Sequence, residues 1–431
     1  MDFVAVRCVP STVAETGAPD AKSHAKSRAN RSGTVPRLER EQRQREASRW
    51  AGASARSARP AMRRTLAVSQ TLALIAATAA PPAPRQQPNL LLLFPDQWRW
   101  DFNELSLGEA LIKTPTFAAL AKRGARFEKA YVPSPLCAPS RAALALGREY
   151  DTQQVPSNSY DVPAGVPTFY RTLRDEAGYH VMISGKDDLT KHSGYCGTTG
   201  RVTEPCLNAS YRAEELGYSA WRGRTPGKLG TLSPDGGPFN AFLASSTVTL
   251  PNGSTANAQA VHDWCFGEIG LQPDQHLPRS NYTCCHGAQV CDVPVHVPPE
   301  MYEDNWVGAE GLKMLLQRPS GKPWYMQVNW PGPHTPFIVT KKMMESTATR
   351  AFEPPVDYFF GPNSVADNVV ARRLYAAEVE NLDGWFGKYI HAVQELGDYA
   401  STVICISSDH GEMLGDHGAP SLTFPVTVEA S

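Results

Sequence analysis

The chain has 431 residues, 42% of them hydrophobic, and a formal net charge of −1. That length holds one large α/β domain, or two smaller ones, around a substantial core. The near-neutral balance argues against a nucleic-acid or anionic-surface binder held by bulk charge, and 36 prolines with 33 glycines assign much of the chain to connections.

Residues 1–61 are rich in Arg, Ser and Ala and poor in large apolar side chains, so they cannot bury enough surface to order themselves. At 62–80 the sequence changes. Met62 and two arginines precede an apolar run from Leu66 to Ala77, and small residues follow before a Pro-rich stretch. This is the three-part pattern of a secretory signal, with cleavage expected near Ala79 or Ala80, and the run is too short for a stable membrane span. Synthesis is therefore expected to begin at Met62, leaving 1–61 as a spurious extension; a disordered tail or an organelle-targeting leader is the alternative.

Downstream, short apolar runs end in polar residues. "NLLLLF" (Asn89–Phe94) runs into Pro95-Asp96-Gln97, and the helical pattern Thr114–Gly124 follows, with a Thr cap, an adjacent Pro and a closing Gly. "SRAALALGR" reads as a helix entered from Cys137, with Pro139 in an early helical position. A helix over Phe169–Gly178 leads to the strand "HVMIS" (His180–Ser184), which ends in Gly185-Lys186.

The stretch from about 195 to 295 reads as a Cys-rich insert. It carries Cys196, Cys206, Cys265, Cys284, Cys285 and Cys291, and the sequons at Asn208, Asn252 and Asn281. The combination fits an oxidising compartment with local disulfides; a zinc site is the alternative, but "CCHGAQVC" lacks a second matching pair. The secretory pathway, with a secreted or lysosome-like destination, follows from leader and insert together.

"WYMQVNW" (Trp324–Trp330) ends in Pro-Gly-Pro-His334, a long helix is predicted over Asn368–Gly397, and "TVICISS" (Thr402–Ser408) ends in Asp409-His410. Continuous apolar runs of this length suit strands buried on both faces. Their alternation with helices predicts an α/β fold, a doubly wound, mostly parallel sheet flanked by helices. Ligands bind at the carboxyl ends of such strands, where Asp96, Lys186, His334, Asp409 and His410 all fall.

Two carboxylates and an imidazole suit Ca²⁺ or Mg²⁺, with Mn²⁺ or Zn²⁺ admitted by the histidine. Lys186, Arg141 and His334 add the donors that a sulfate or phosphate group requires as charge builds on its oxygens. On its own, Cys137 fits a small buried hydrophobe or a thiolate activated at a helix N-terminus.

"CAPSRAALALGR" (Cys137–Arg148) resembles the sulfatase signature, Cys-x-Pro-Ser-Arg followed by Gly-Arg, departing from it at Leu146, where the family usually has Thr. The resemblance covers Asn89 to Gly418 and implies an alkaline-phosphatase-like catalytic domain over 88–418. It implies that a formylglycine-generating enzyme oxidises Cys137 to formylglycine, whose hydrated aldehyde supplies the nucleophilic hydroxyl, held by Arg141. "FPDQWRWD" resembles the first metal segment and "SSDHGEMLGDHG" the second. Asp96, Cys137, Asp409 and His410 are then the metal set, with Ca²⁺ ahead of Mg²⁺ or Mn²⁺. Many relatives have a second Asp where this chain has Gln97. Lys186 in "SGKDDLTKH" and His334 in "NWPGPHTPF" match sulfate-contacting residues; the family's companion histidine lies two residues after the lysine, whereas the nearest here is His192. The spacing is loosely that of the arylsulfatase K and iduronate-sulfatase-like branches.

The implied reaction is hydrolysis of a sulfated carbohydrate, small molecule or aryl sulfate. One hydroxyl attacks sulfur, His334 or Lys186 protonates the leaving alcohol, and collapse to the aldehyde releases sulfate. A phosphonate or phosphodiester hydrolase, or an inactive glycan-binding homologue, is the alternative. After Gly418 the family continues through a lysine-bearing loop into a smaller domain. Residues 419–431 match neither, so the C-terminal subdomain is expected to be missing.

Overall fold

The computed structural model describes residues 87–158, 160–190, 209–225, 237–249, 253–261, 298–357 and 365–418. The extension at 1–61, the leader at 62–80, His192, the six cysteines of the insert, the three sequon asparagines and the tail at 419–431 lie outside the described residues.

The four predicted apolar runs form parallel strands: β1 (Asn89–Leu93), β2 (His180–Gly185), β6 (Trp324–Asn329) and β7 (Thr402–Ile406). A short β3 (Ala220–Arg222) adds to β2, giving the order β3-β2-β6-β1-β7. Within the insert, β4 (Thr247–Thr249) and β5 (Thr255–Asn257) make a separate antiparallel pair.

Five helices position the site: α1 (Pro115–Arg123), α2 (Cys137–Leu146), α3 (Phe169–Asp175), α4 (Glu303–Leu316) and α5 (Val365–Glu395). Side chains alternate across the sheet, and each face meets a different set of helices. Leu91, Leu93, Met326, Val328, Ile404 and Ile406 pack with α1, α4 and α5. Leu90, Leu92, Val181, Ile183 and Tyr325 pack with Ala138, Ala142 and Ala145 of α2 and Tyr170 of α3. The small side chains of α2 let that helix lie close on the sheet, with its first residue at the strand ends.

Helix α5 buries Leu374, Leu382, Trp385, Tyr389 and Val393. At about 1.5–3 kcal/mol for each large apolar side chain, this stripe is a main contributor to the core. It lies against α4 at close range: a Cβ on Gly308 would fall 2.5 Å from the Trp385 ring.

The expected Thr cap of α1 is replaced by a tertiary one. Thr114 makes no side-chain bond to the helix; its hydroxyl accepts from Glu104 N–H at 2.9 Å. The Thr116 and Phe117 N–H groups instead donate to the carboxylate of Asp383, on α5, at 3.0 and 2.8 Å. Burial outweighs these bonds and raises the Asp383 carboxyl to about 6. Asp383→Ala is expected to lower stability by about 1–2 kcal/mol, the scale of a lost cap. Because the folded pKa is raised, the stabilisation is full below the ordinary carboxylate range and is lost as pH rises through about 6. Urea unfolding therefore shows a wider gap between wild type and variant at about pH 5 than at about pH 8; equal gaps contradict this.

Candidate active site

The strand ends deliver the predicted residues to one place. Asp96 follows β1, its N–H donating to the carbonyls of Trp330 and Gly332 at 3.0 and 3.1 Å. Its carboxylate is fully buried. The next residue, Gln97, is held at φ +65°, a conformation that a non-glycine residue keeps only when its surroundings enforce it. Those surroundings are the Asp409 carboxylate, which accepts the Gln97 N–H at 2.9 Å, the Tyr375 hydroxyl, which donates to its carbonyl, and Glu412, which accepts from its side-chain amide.

Cys137 is the first residue of α2, buried, with Sγ 3.0 Å from His410 Nε2 and 3.5 Å from Asp96 Oδ1. One turn on, Arg141 is anchored on several sides. Its Nε donates to Asp409 Oδ2 at 2.8 Å, and Nη1 to the Lys186 carbonyl at 3.0 Å and Asn329 Oδ1 at 3.1 Å. Its Nη2 lies 3.8 Å from Asp96 Oδ2, and the guanidinium sits 5.0 Å from the centre of the Phe94 ring.

Lys186 leaves β2 through Gly185, at φ +83°, where a Cβ would overlap the Asn329 carbonyl of β6. Only glycine fits there. The close approach sends Nζ to Asp96, in direct contact, and to Asp188 at 3.2 Å. His334 follows β6 in a loop pinned by the bond from Gly332 N–H to Asp304 at 2.7 Å, with its Nδ1 against the Thr335 carbonyl. After β7, His410 Nδ1 lies 3.0 Å from the Gly411 carbonyl. Donation there directs Nε2 toward Cys137 and Asp96, which it approaches at 3.5 Å.

Charge pairing sets the protonation states. Burial alone would raise the Asp96 carboxyl, but Lys186, His334, Arg141 and His410 hold it well below the usual range. Burial would lower His410, yet Asp409, Cys137 and Asp96 lift it to about 10. His334 is raised in the same way by Asp96 and Cys137 against burial. Cys137 is pushed up by burial and Asp96, but Lys186, His410 and His334 bring it down to about 7. Lys186 stands well above its ordinary value, where Asp188 and Asp96 outweigh burial.

The ligand atoms of Asp96, Cys137, Asp409 and His410 all lie within 4.8 Å of one another. That spread matches opposite ligands of one ion bonded at about 2.3–2.6 Å, and two carboxylates with an imidazole and the sulfur of Cys137 are donors a divalent cation accepts. The donors present therefore fit a metal. Metal binding at His410 requires loss of the proton that the carboxylates favour there, so it releases protons.

All seven residues singled out from the sequence, Asp96, Cys137, Arg141, Lys186, His334, Asp409 and His410, meet in this cluster. Gln97 meets it through its backbone. Sequence reasoning misses Asp188, Gln327, Asn329 and Glu412. Asp188 has a signal, since it stands two residues after Lys186, where the family's histidine lies. Gln327 and Asn329 have another, being polar at alternate positions of an otherwise apolar run.

The Sulfatase family model matches residues 88–425. Among curated relatives, the arylsulfatase of Clostridium perfringens is 21% identical over 77% of this chain and 64% of its own length. Human iduronate 2-sulfatase is 25% identical over 77% of this chain and 56% of its own. The chain thus spans less than two thirds of the length of these relatives. The crystal structure of a phosphonate monoester hydrolase from Agrobacterium radiobacter shares the fold, with a TM-score of 0.56 and 20% identity over 77% of this chain and 64% of that one.

Proposed function

Given that the chain belongs to the sulfatase family, we propose that it hydrolyses sulfate esters through a formylglycine made from Cys137. Asp96, residue 137, Asp409 and His410 would hold a divalent metal, Ca²⁺ ahead of Mg²⁺ or Mn²⁺. The observation that carries this reading is the position of Cys137 at the head of α2, inside a four-residue ligand set and one turn from Arg141. A merely structural cysteine has no need of that company.

A bound divalent ion would supply positive charge to the attacking oxygen and to a sulfate oxygen. The side chains do the rest. Arg141 and Lys186 carry fixed positive charge in a buried site, where it acts on an anion with little screening. Attack by a hydroxyl of residue 137 on sulfur needs a proton for the departing alcohol. Lys186, paired with Asp188 and Asp96, holds its proton too tightly to be a good donor. Asp96 and Cys137 raise the His334 imidazole above its ordinary value, which favours its protonated form, so it is assigned as the acid. Sulfate then leaves as residue 137 returns to the aldehyde.

The substrate would be a sulfated small molecule, glycan or aryl sulfate, and a formylglycine-generating enzyme would be the modifying partner in the secretory pathway. No helix among the described residues is long and apolar enough to cross a membrane.

A second reading has support from the phosphonate monoester hydrolase with this fold: turnover of phosphonate monoesters or phosphodiesters. Rates on an aryl sulfate and on the phosphodiester of the same aryl alcohol separate the two. A higher kcat/KM for the sulfate is expected; a higher value for the phosphodiester replaces the sulfatase reading with the second.

A further inference from the structure

Three residues on one face of β6 form a polar line through a strand whose residues are all buried. Tyr325 O–H donates to Gln327 Oε1 at 2.6 Å, and Tyr170 O–H, from α3, donates to the same oxygen at 2.9 Å. Gln327 Nε2 donates to Asn329 Oδ1 at 2.7 Å, and that oxygen accepts Arg141 Nη1 at 3.1 Å. The direction of every bond is fixed. The guanidinium can only donate, so Asn329 must present its oxygen to Arg141; that same oxygen takes the Gln327 NH₂, which leaves Gln327 Oε1 facing the two phenols.

A buried amide pair costs stability unless its partners are satisfied. Apolar side chains fill the same face of neighbouring strands, so the sheet does not require Gln327 or Asn329. The line ends on the guanidinium of Arg141, and Asn329 Nδ2 itself has no hydrogen-bond partner among the described residues. We propose that Gln327 and Asn329 are positioning residues that hold Arg141 for an oxyanion, with Tyr170 and Tyr325 anchoring the far end of the line.

This rests on the sulfatase reading for the identity of the oxyanion, and it explains an arrangement that reading leaves unused. Arg141 has two further anchors, the Lys186 carbonyl, which also accepts from Nη1 at 3.0 Å, and the carboxylate of Asp409, which is also assigned to the metal. The neutral line, together with the Lys186 carbonyl, holds Nη1 independently of what Asp409 binds. Its phenols remain donors across physiological pH, since burial raises Tyr325 and Tyr170 above the ordinary phenol range.

The test is a double-mutant cycle read by calorimetric binding of inorganic sulfate to the full chain. The proteins are wild type, Asn329→Ala, Arg141→Lys and the pair. Asn329→Ala is expected to weaken sulfate about tenfold, as for one misplaced charge-assisted hydrogen bond. In the Arg141→Lys background it weakens sulfate no further, because lysine lacks the planar fork that the amide aligns. Gln327→Met, which leaves Asn329 unlocked, loses affinity in the same direction and vanishes in the same background; it runs the cycle if Asn329→Ala does not fold.

A structural role alone would lower thermal midpoints and leave the two effects additive. Additivity, unchanged affinity in Asn329→Ala, or no sulfate binding by wild type overturns the proposal. Aryl sulfate turnover by wild type is measured alongside. Coupling without turnover upholds the positioning role and removes the hydrolytic reading; turnover without coupling does the reverse.

Discussion

Cys137→Ser is expected to release about one equivalent of alcohol from an aryl sulfate and then stop. Serine places a hydroxyl where the converted residue would carry one. It is the first residue of α2, beside Arg141 and within reach of the ligand set, so attack on sulfur remains open to it. It lacks the second hydroxyl whose collapse to an aldehyde expels sulfate. The sulfate ester on the enzyme therefore persists, and steady-state turnover falls on the order of 10⁴-fold or more, the scale for removal of a nucleophile. Cys137→Ala, with no attacking atom, shows neither the first equivalent nor turnover. Rapid-quench measurement of alcohol release separates the two variants. Steady turnover by Cys137→Ala at the wild-type rate would remove residue 137 from the reaction.

Asp409→Asn is expected to have the largest combined effect on activity and stability. Its carboxylate accepts from Gln97 N–H and His410 N–H at 2.9 Å through Oδ1 and from Arg141 Nε at 2.8 Å through Oδ2. An amide cannot accept on both sides, and it leaves the buried Arg141 with Asp96 at 3.8 Å as its nearest remaining carboxylate. Removing one partner from a buried ion pair costs about 3–5 kcal/mol. The same change would remove a charged donor from the proposed metal set. If the wild type binds calcium as proposed, calcium at a hundredfold over its Kd is expected to add about 2.7 kcal/mol to stability, visible as a rise in thermal midpoint that a chelator reverses. In Asp409→Asn the midpoint starts lower and the calcium-dependent rise is absent. An equal calcium shift in both proteins would exclude Asp409 from the metal site.

Strands and their chemistry were legible together because of one property of parallel sheets. A strand buried on both faces must read as an apolar run, and the first polar residue after it lies at the carboxyl end, where ligands bind. "NLLLLF" before Asp96 and "TVICISS" before Asp409 carry both signals. Strand β3 carried neither, since Ala220–Arg222 is a three-residue, partly exposed edge. The insert reads as loop in the sequence, yet Ala209–Leu216 and Gly237–Ala244 are helical. Segments that short hold too few turns to show a period.

What the sequence hid was pairing over distance. Thr114 has the composition of a cap, but a carboxylate 267 positions away, on Asp383, reaches the Thr116 N–H. No local pattern encodes that bond. Gln327 and Asn329 were visible as polar residues in an apolar run, but their partners Tyr170 and Arg141 arrive from helices on the far side of a crossover. Lys186 was legible by its place after a strand. Its direction was not, since the approach of Gly185 to the Asn329 carbonyl sets it.

The most direct test of the central claim is the mass of the peptide containing residue 137, from protein secreted by cells that possess the formylglycine-generating activity. The account predicts a peptide in which the CH₂–SH of cysteine has become an aldehyde, lighter than the encoded form and able to react with a hydrazide. An intact thiol at residue 137, in protein that nonetheless turns over an aryl sulfate, would contradict it.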